Sequence, residues 1–269
     1  MRRANLALAA ILLGLATGFA VAEPASAAVA PGDYVALGDS YASGVGAPPY
    51  DSANVDCKRS PNSYPRIWAK NFTAFTLKDM TCSGALVKDV RAKQLGALSA
   101  RTTLVTITVG GNDDGFENTV KACLLGTDAA CKASTDQGAY IARHELVDEL
   151  ASLYTDVKAK APNARIIVLG YSNLIDPGTG SCGAVTPNAF KRTAILNNTY
   201  HMGEGIRTAT ERAGVKFIDM RGYFKGHEAC SADPYINGVD AARVSESFHP
   251  NRLGHVGYAW VLAAATAAR

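Results

Sequence analysis

Short runs of apolar residues that end in glycine-containing turns recur along the chain. They cover residues 34–37, 104–109, 165–169 and 215–219, and a weaker segment, which alternates apolar and polar residues, covers 75–77. Continuous runs of Val, Ile and Leu of this length are typical of strands that are buried on both faces. The pattern therefore predicts a parallel sheet.

Helical periodicity alternates with these strands. It predicts helices over 141–160, over 187–213, and from Pro250 to the C-terminus, with Pro162 and Gly214 ending the first two. The alternation of strands and helices predicts an open, doubly wound α/β sandwich. Ligands of such sheets bind beyond the carboxyl ends of the strands, and the glycine turns lie at that edge.

The turn after the first predicted strand, Gly38-Asp39-Ser40, places a serine at this edge. Backbone N–H groups there can stabilise an anion, and an exposed hydroxyl meets the requirement for an acyl-transfer nucleophile. The turn lacks the G-x-S-x-G motif of the α/β-hydrolases. Because G-D-S alone is a weak signal, an ordinary helix-capping serine is the alternative interpretation.

Two further glycine turns supply candidates for an oxyanion hole. Gly110-Gly111-Asn112-Asp113 closes the strongest predicted strand, and the side-chain amide of Asn112 is a suitable donor to a developing oxyanion. Cys82-Ser83-Gly84 follows the weakest strand, and Gly84 offers a backbone N–H with no side chain in the way. Each turn is also explained by ordinary turn-forming residues.

A candidate base lies near the C-terminus, in the stretch SESFHPN. His249 precedes Pro250, so its backbone is expected to be extended and its ring to project from a loop. Histidine can take the proton of a serine and return it to a leaving group. We interpret the other histidines as surface or packing residues, among which His227 is the one expected to approach the cleft.

These motifs together resemble the SGNH (GDSL) hydrolases: G-D-S near the start, a central glycine, G-x-N-D, and a late acid-x-x-His-Pro. The stretches YVALGDSYASGVG, CSGA, TVGGNDDGF, GHEAC and SFHPN are similar to the secreted actinomycete lipase/esterase branch of that family. The resemblance covers almost the whole chain after its N-terminal segment. It implies a flavodoxin-like, three-layer α/β sandwich with a five-stranded parallel sheet.

The resemblance also implies roles for individual residues. Ser40 becomes the nucleophile and His249 the base, and the N–H groups of Ser40 and Gly84 join the Asn112 amide in the oxyanion hole. No metal or organic cofactor is implied. Many members carry Asp where this chain has Glu246, so either Glu246 or the backbone carbonyl of Ser247 is expected to orient His249, and the carbonyl is favoured.

The N-terminal segment has the features of a secretory signal peptide. Arg2 and Arg3 precede an apolar run over residues 6–21, and Ala25-Ser26-Ala27 offers a cleavage site. We therefore expect residues 1–27 to be removed and residues 28–269 to form one catalytic domain in the extracellular space. An uncleaved membrane anchor is the alternative.

The six cysteines all follow the predicted signal peptide, and an even number in an exported chain argues for disulfides. Cys123 and Cys131 are the closest pair along the sequence. We expect them to pair, and the other cysteines to follow as the sequential partners Cys57–Cys82 and Cys182–Cys230, an arrangement that also matches the lipase/esterase branch.

The predicted function is that of a secreted serine esterase or lipase that hydrolyses acyl esters or lipids. A polysaccharide deacetylase, a phospholipase A-type acyl hydrolase, and a non-catalytic binding module on the same scaffold remain alternatives. The formal net charge is only +3 and no long basic run follows the signal peptide, so nucleic acid is not an expected partner. The apolar stretch at the C-terminus is too short to span a bilayer, and a monomer is expected.

Overall fold

The computed structural model describes residues 28–178, 180–182, 185–240 and 242–267. The predicted signal peptide, residues 1–27, lies outside the described residues. Within them the sheet has five parallel strands in the order β2-β1-β3-β4-β5. The strands are β1 (Asp33–Gly38), β2 (Thr76–Asp79), β3 (Thr102–Thr108), β4 (Arg165–Leu169) and β5 (Lys216–Ile218). Each predicted strand is present, which confirms the α/β fold class.

The helices form two groups that cover the sheet. They are α1 (Ser40–Ser43), α2 (Tyr64–Asn71), α3 (Val87–Asp89), α4 (Phe116–Leu125), α5 (Asp128–His144), α6 (Leu146–Lys160), α7 (Ala189–Ala213) and α8 (Arg252–Thr266). Helix α2 packs against α8, and α5 packs against α4, α6 and α7. Because both faces of the central strands are covered, residues 34–37 of β1 are fully buried. None of the described helices is both long and apolar enough to cross a membrane.

Strand β2 pairs with one side of β1, and the chain then crosses over to form β3 on the other side of β1. The direction of the strand order therefore reverses at β1. Gly38 at the end of β1 is in register with Thr108 at the end of β3. The residues that follow these two strands therefore lie side by side, at the switch point where sheets of this kind bind ligands.

The helix boundaries correct two predictions. The segment 141–160 is not one helix, because α5 ends at His144 and α6 begins at Leu146. The segment 113–132, over which the sequence analysis predicts no helix, contains α4 and the start of α5. The residues that α5 buries are small or polar, so they leave no strong apolar periodicity: Cys131, Thr135, Gly138, Ala139 and Ala142.

The starts of α7 and α8 also differ from the prediction, since neither proline begins its helix. Asn188 caps α7 by accepting the N–H of Lys191, and Asn251 caps α8 by accepting the N–H of Gly254. Asparagine is a strong N-cap, so each helix starts two residues after the proline, directly after the capping asparagine.

The cysteines pair as Cys57–Cys82, Cys123–Cys131 and Cys182–Cys230 in the structure. The first of these disulfides links the segment before α2 to the turn that carries Gly84. The second joins α4 to α5. The first cross-link therefore braces a turn at the carboxyl edge of the sheet, because the N–H of Cys82 donates to the carbonyl of Gly38 at the end of β1.

Candidate active site

Strand β1 delivers Ser40 to the carboxyl edge of the sheet through a tight turn. Gly38 has a φ of +130°, and a Cβ there would overlap the carbonyl oxygen of Thr108, so only glycine fits. Asp39 is the N-cap of α1, and its side chain accepts the N–H of Tyr41 at 2.9 Å. Ser40 is the first residue of the helix, so the capping role that competes with the nucleophile interpretation belongs to Asp39.

The hydroxyl of Ser40 and the ring of His249 are in direct contact. Oγ of Ser40 lies 2.8 Å from Nε2 of His249, and Nδ1 of the ring lies 3.0 Å from the carbonyl oxygen of Ser247. A carbonyl can only accept a hydrogen bond, so Nδ1 carries the ring proton. Nε2 then has a lone pair and accepts the hydroxyl proton of Ser40.

The environment keeps His249 neutral. Burial lowers the pKa of His249 to about 4, opposed by the hydrogen bond to the Ser247 carbonyl and reinforced by the positive charge of Lys58. A neutral imidazole at physiological pH is the form that can act as a base.

Glu246, the other predicted acceptor, makes a different contact. Its carboxylate lies 3.1 Å from Nη1 of Arg243, and the side chain is largely buried. Of the two predicted acceptors, the structure therefore places the backbone carbonyl of Ser247 on the ring and pairs Glu246 with an arginine.

The predicted oxyanion donors Ser40, Gly84 and Asn112 follow the ends of β1, β2 and β3. Nδ2 of Asn112 donates one hydrogen bond to the carbonyl of Ala85 at 3.1 Å, which fixes the amide beside the turn that contains Gly84. The same turn is tied to β1, because Cys82 N–H donates to the carbonyl of Gly38 at 3.0 Å. Gly84 has a φ of +76° and open space where a Cβ would point, so its backbone conformation, not crowding, favours glycine there.

Two tyrosines that the sequence analysis missed link the turns after β1 and β3 and the segment that carries His249. Tyr41 donates to the carbonyl of Phe248 at 2.5 Å, and Phe248 has the strained φ of +58°. Tyr171 accepts the N–H of Gly111 at 2.9 Å and donates to Oδ2 of Asp39 at 2.5 Å. Both tyrosines could have been identified as candidates from the sequence, since Tyr41 follows Ser40 and Tyr171 follows the glycine after β4.

Asp39, at the centre of this network, carries an unusual carboxyl group. Burial raises the pKa of Asp39 to about 7, although the hydrogen bonds from Tyr171 and from the N–H of Tyr41 oppose the shift. The group therefore lies near half-ionisation at neutral pH, next to the residue that bears the candidate nucleophile.

A mostly apolar cleft opens beside Ser40 and Asn112. Its apolar walls come from α4, α7 and the neighbouring loops: Phe116, Val120, Tyr171, Leu174, Ile195, Met202 and Phe248. A few polar residues also line it, including Asp114 and Asn198. The sequence analysis did not single out these residues, and it predicted no helix over α4, which carries Phe116 and Val120. His227 stacks on Tyr235 instead, with the ring centroids 3.9 Å apart, and is not among the cleft residues.

Comparisons with known proteins identify the family that the chain resembles. Residues 36–256 match the sequence model of the GDSL-like lipase/acylhydrolase family. The chain is 39% identical over 241 residues to Lipase 1 of Streptomyces coelicolor, a match that covers 90% of this chain and 88% of that protein.

Two crystal structures are similar over most of the chain. Phospholipase A1 from Streptomyces albidoflavus NA297 is 39% identical with a TM-score of 0.83, covering 87% of this chain and 99% of that one. An extracellular lipase from Streptomyces rimosus is also 39% identical with a TM-score of 0.83, covering 87% of this chain and 100% of that one.

Proposed function

The chain belongs to the GDSL-like lipase/acylhydrolase family and is an acyl-ester hydrolase, and we propose that it works through an acyl-enzyme on Ser40. The observation that carries the proposal is the 2.8 Å contact between Oγ of Ser40 and Nε2 of a buried, neutral His249. A serine hydroxyl becomes a competent nucleophile when an adjacent base can take its proton.

The chemistry follows from the tautomer of His249. Nε2 takes the proton as Oγ of Ser40 attacks the ester carbonyl, and the resulting imidazolium returns that proton to the departing alcohol. Water then hydrolyses the acyl-enzyme, with His249 acting first as base and then as acid. The Ser247 carbonyl holds the ring through Nδ1 but offers only a dipole, so it stabilises the imidazolium less than a carboxylate would.

The oxyanion is assigned to three donors: the N–H groups of Ser40 and Gly84 and the amide of Asn112. Nδ2 of Asn112 has two hydrogens, and the Ala85 carbonyl takes one of them. The second can donate to substrate from an amide that is already oriented, which is the arrangement that stabilises a developing charge most effectively.

The apolar cleft beside Ser40 suits the acyl part of a lipid-like ester. Acyl hydrolysis of phospholipids is a second candidate, because a relative with 39% identity and a TM-score of 0.83 is named phospholipase A1. The proposed nucleophile, base and oxyanion donors all come from one chain, so the site needs no second subunit to be complete, and action as a monomer is part of the proposal.

Export is also part of the proposal. Residues 1–27 are assigned as a cleaved signal peptide, and residues 28–269 as the extracellular enzyme. The three disulfides support this, because such bonds persist in oxidising compartments, and so does the extracellular relative from Streptomyces rimosus.

The nucleophile is tested by Ser40→Ala, with Ser43→Ala as the matched control. Both serines are buried in α1, but Oγ of Ser43 contacts the carbonyl of Ser40 at 3.4 Å and not the ring of His249. With a p-nitrophenyl ester, Ser40→Ala should lower kcat by about 10⁶-fold, as loss of a catalytic serine does elsewhere. Ser43→Ala should stay near wild type. An organophosphonate that labels a serine other than Ser40 would refute the assignment.

A further inference from the structure

Two carboxyl groups line the cleft, those of Asp39 and Asp114, and whereas Asp39 is engaged by Tyr171, Asp114 takes no part in the proposed mechanism or in the network around Ser40. Asp114 follows the Asn112 turn, is 5% exposed, and lines the cleft together with Ser40. Most of the surrounding wall is apolar. Burying a carboxyl group in such a place is costly unless hydrogen bonds compensate it, so a site built only for a plain hydrocarbon chain gains nothing from it.

The partners of Asp114 leave one side of the carboxyl group open. Oδ2 accepts a hydrogen bond from Nδ2 of Asn198 at 3.3 Å, which holds the side chain from α7. In the described part of the chain, Oδ1 accepts no hydrogen bond and no lysine or arginine pairs with the group. Asn198 is itself largely buried, and its own Oδ1 also lacks a partner within those residues.

The protonation of Asp114 narrows the chemistry of a matching ligand. Burial raises the pKa of Asp114 to about 7, opposed by the hydrogen bond from Asn198 and reinforced by the negative charge of Asp113. Near neutral pH both forms of the carboxyl group are therefore populated. A hydroxyl can donate to the carboxylate and accept from the acid, whereas an ammonium group fits only the carboxylate and a methylene fits neither.

We propose that Asp114, held by Asn198, binds a hydroxyl group on the acyl chain of the substrate, so that hydroxylated acyl esters are preferred to plain ones. The inference rests on the proposed function, because it assumes that the acyl chain attached to Ser40 enters this cleft. It assigns Asp114 as a residue that determines specificity and has no role in the bond-breaking steps.

The test compares methyl octanoate with methyl hydroxyoctanoates that carry the hydroxyl at different carbons. Purified enzyme is assayed in a pH-stat near neutral pH, and kcat/KM is measured for each ester. At least one hydroxylated ester should exceed the plain ester by about tenfold, the contribution of one hydrogen bond to a charged group. Asp114→Leu should bring that ratio to about one, and the milder Asp114→Asn should reduce it to a few-fold.

Asp113→Asn is the matched control for Asp114→Asn. Asp113 is the neighbouring carboxyl group, and its pKa is also raised, to about 6, mainly by burial. It accepts the N–H of Val87 at 3.1 Å and is not among the cleft residues. The control removes a charge that raises the pKa of Asp114, but a hydroxyl can pair with either form of that carboxyl group, so the preference for the hydroxylated ester should persist.

The possible outcomes separate this inference from the function on which it rests. If the wild type hydrolyses methyl octanoate but prefers no hydroxylated ester, the inference is wrong and the proposed function stands. A preference that persists in folded Asp114→Leu would also overturn it. If folded wild type hydrolyses none of the esters, the proposed function fails and the inference fails with it.

Discussion

Replacing Glu246 by glutamine should leave the esterase active, with only a modest loss in kcat. The substitution removes the negative charge of the side chain and keeps its length and one acceptor oxygen. In the structure that charge faces Arg243 at 3.1 Å, whereas Nδ1 of His249 donates to the carbonyl of Ser247 at 3.0 Å. The bond that orients the ring therefore does not involve the atom that changes.

The two possible acceptors predict effects of very different size. The side chain of Arg243 is 55% exposed, and an ion pair with an exposed partner contributes little. The loss in kcat for Glu246→Gln should therefore stay below about tenfold. If Glu246 were instead the charged partner of His249, Glu246→Gln should lower kcat by about 10⁴-fold, as the equivalent change does in a serine protease.

The assay measures kcat and KM with a p-nitrophenyl ester for the wild type, Glu246→Gln and Arg243→Gln. The arginine variant removes the other half of the same ion pair, so the two variants should behave alike. Circular dichroism and thermal unfolding check that each protein is folded.

A folded Glu246→Gln protein whose kcat is reduced a thousandfold or more, beside a nearly active Arg243→Gln protein, would refute the reasoning. It would mean that the carboxylate of Glu246 supports His249 during turnover, and that the assignment of the Ser247 carbonyl is wrong.

Three further outcomes are expected. Asn112→Ala should lower kcat by about 100- to 1000-fold, the usual cost of one oxyanion donor; an effect on KM alone would remove that residue from the oxyanion hole. His249 must be neutral to act as base, and its pKa is lowered to about 4. For folded enzyme, kcat/KM should therefore not depend on this group above pH 4 and should decrease as the pH is lowered through that value. A midpoint at the ordinary value of 6.5 would contradict the burial argument. Tyr41→Phe removes the hydroxyl that holds the strained Phe248 and should lower kcat by about tenfold. Tyr34→Phe, the control, also removes a buried, hydrogen-bonded hydroxyl but should leave kcat unchanged. Equal losses in kcat would show that Tyr41 matters only for stability.

The sequence was sufficient to predict the sheet, and it singled out three candidate site residues, Ser40, Asn112 and His249. Long apolar runs can be satisfied only by strands covered on both faces, and a glycine after each run marks where the strand ends. Because parallel strands end at a common edge, Ser40 after β1 and Asn112 after β3 had to lie close together. The position of His249 before a proline in a late loop completed the set.

Tertiary structure decided what local patterns do not encode. Helix α5 buries small residues such as Gly138 and Ala142 against α7, and close packing of this kind leaves no periodic signal of large apolar side chains. The sequence left open whether Glu246 or Ser247 accepts the hydrogen bond from His249. The answer depends on the left-handed backbone of Phe248, whose carbonyl accepts a hydrogen bond from Tyr41, a residue about 200 positions earlier in the chain. Asp114 also reads as an ordinary turn residue in the sequence. Its place in the cleft arises only when α4 and α7 pack together over the end of β3, because contacts between segments distant in sequence determine which side chains a cavity encloses.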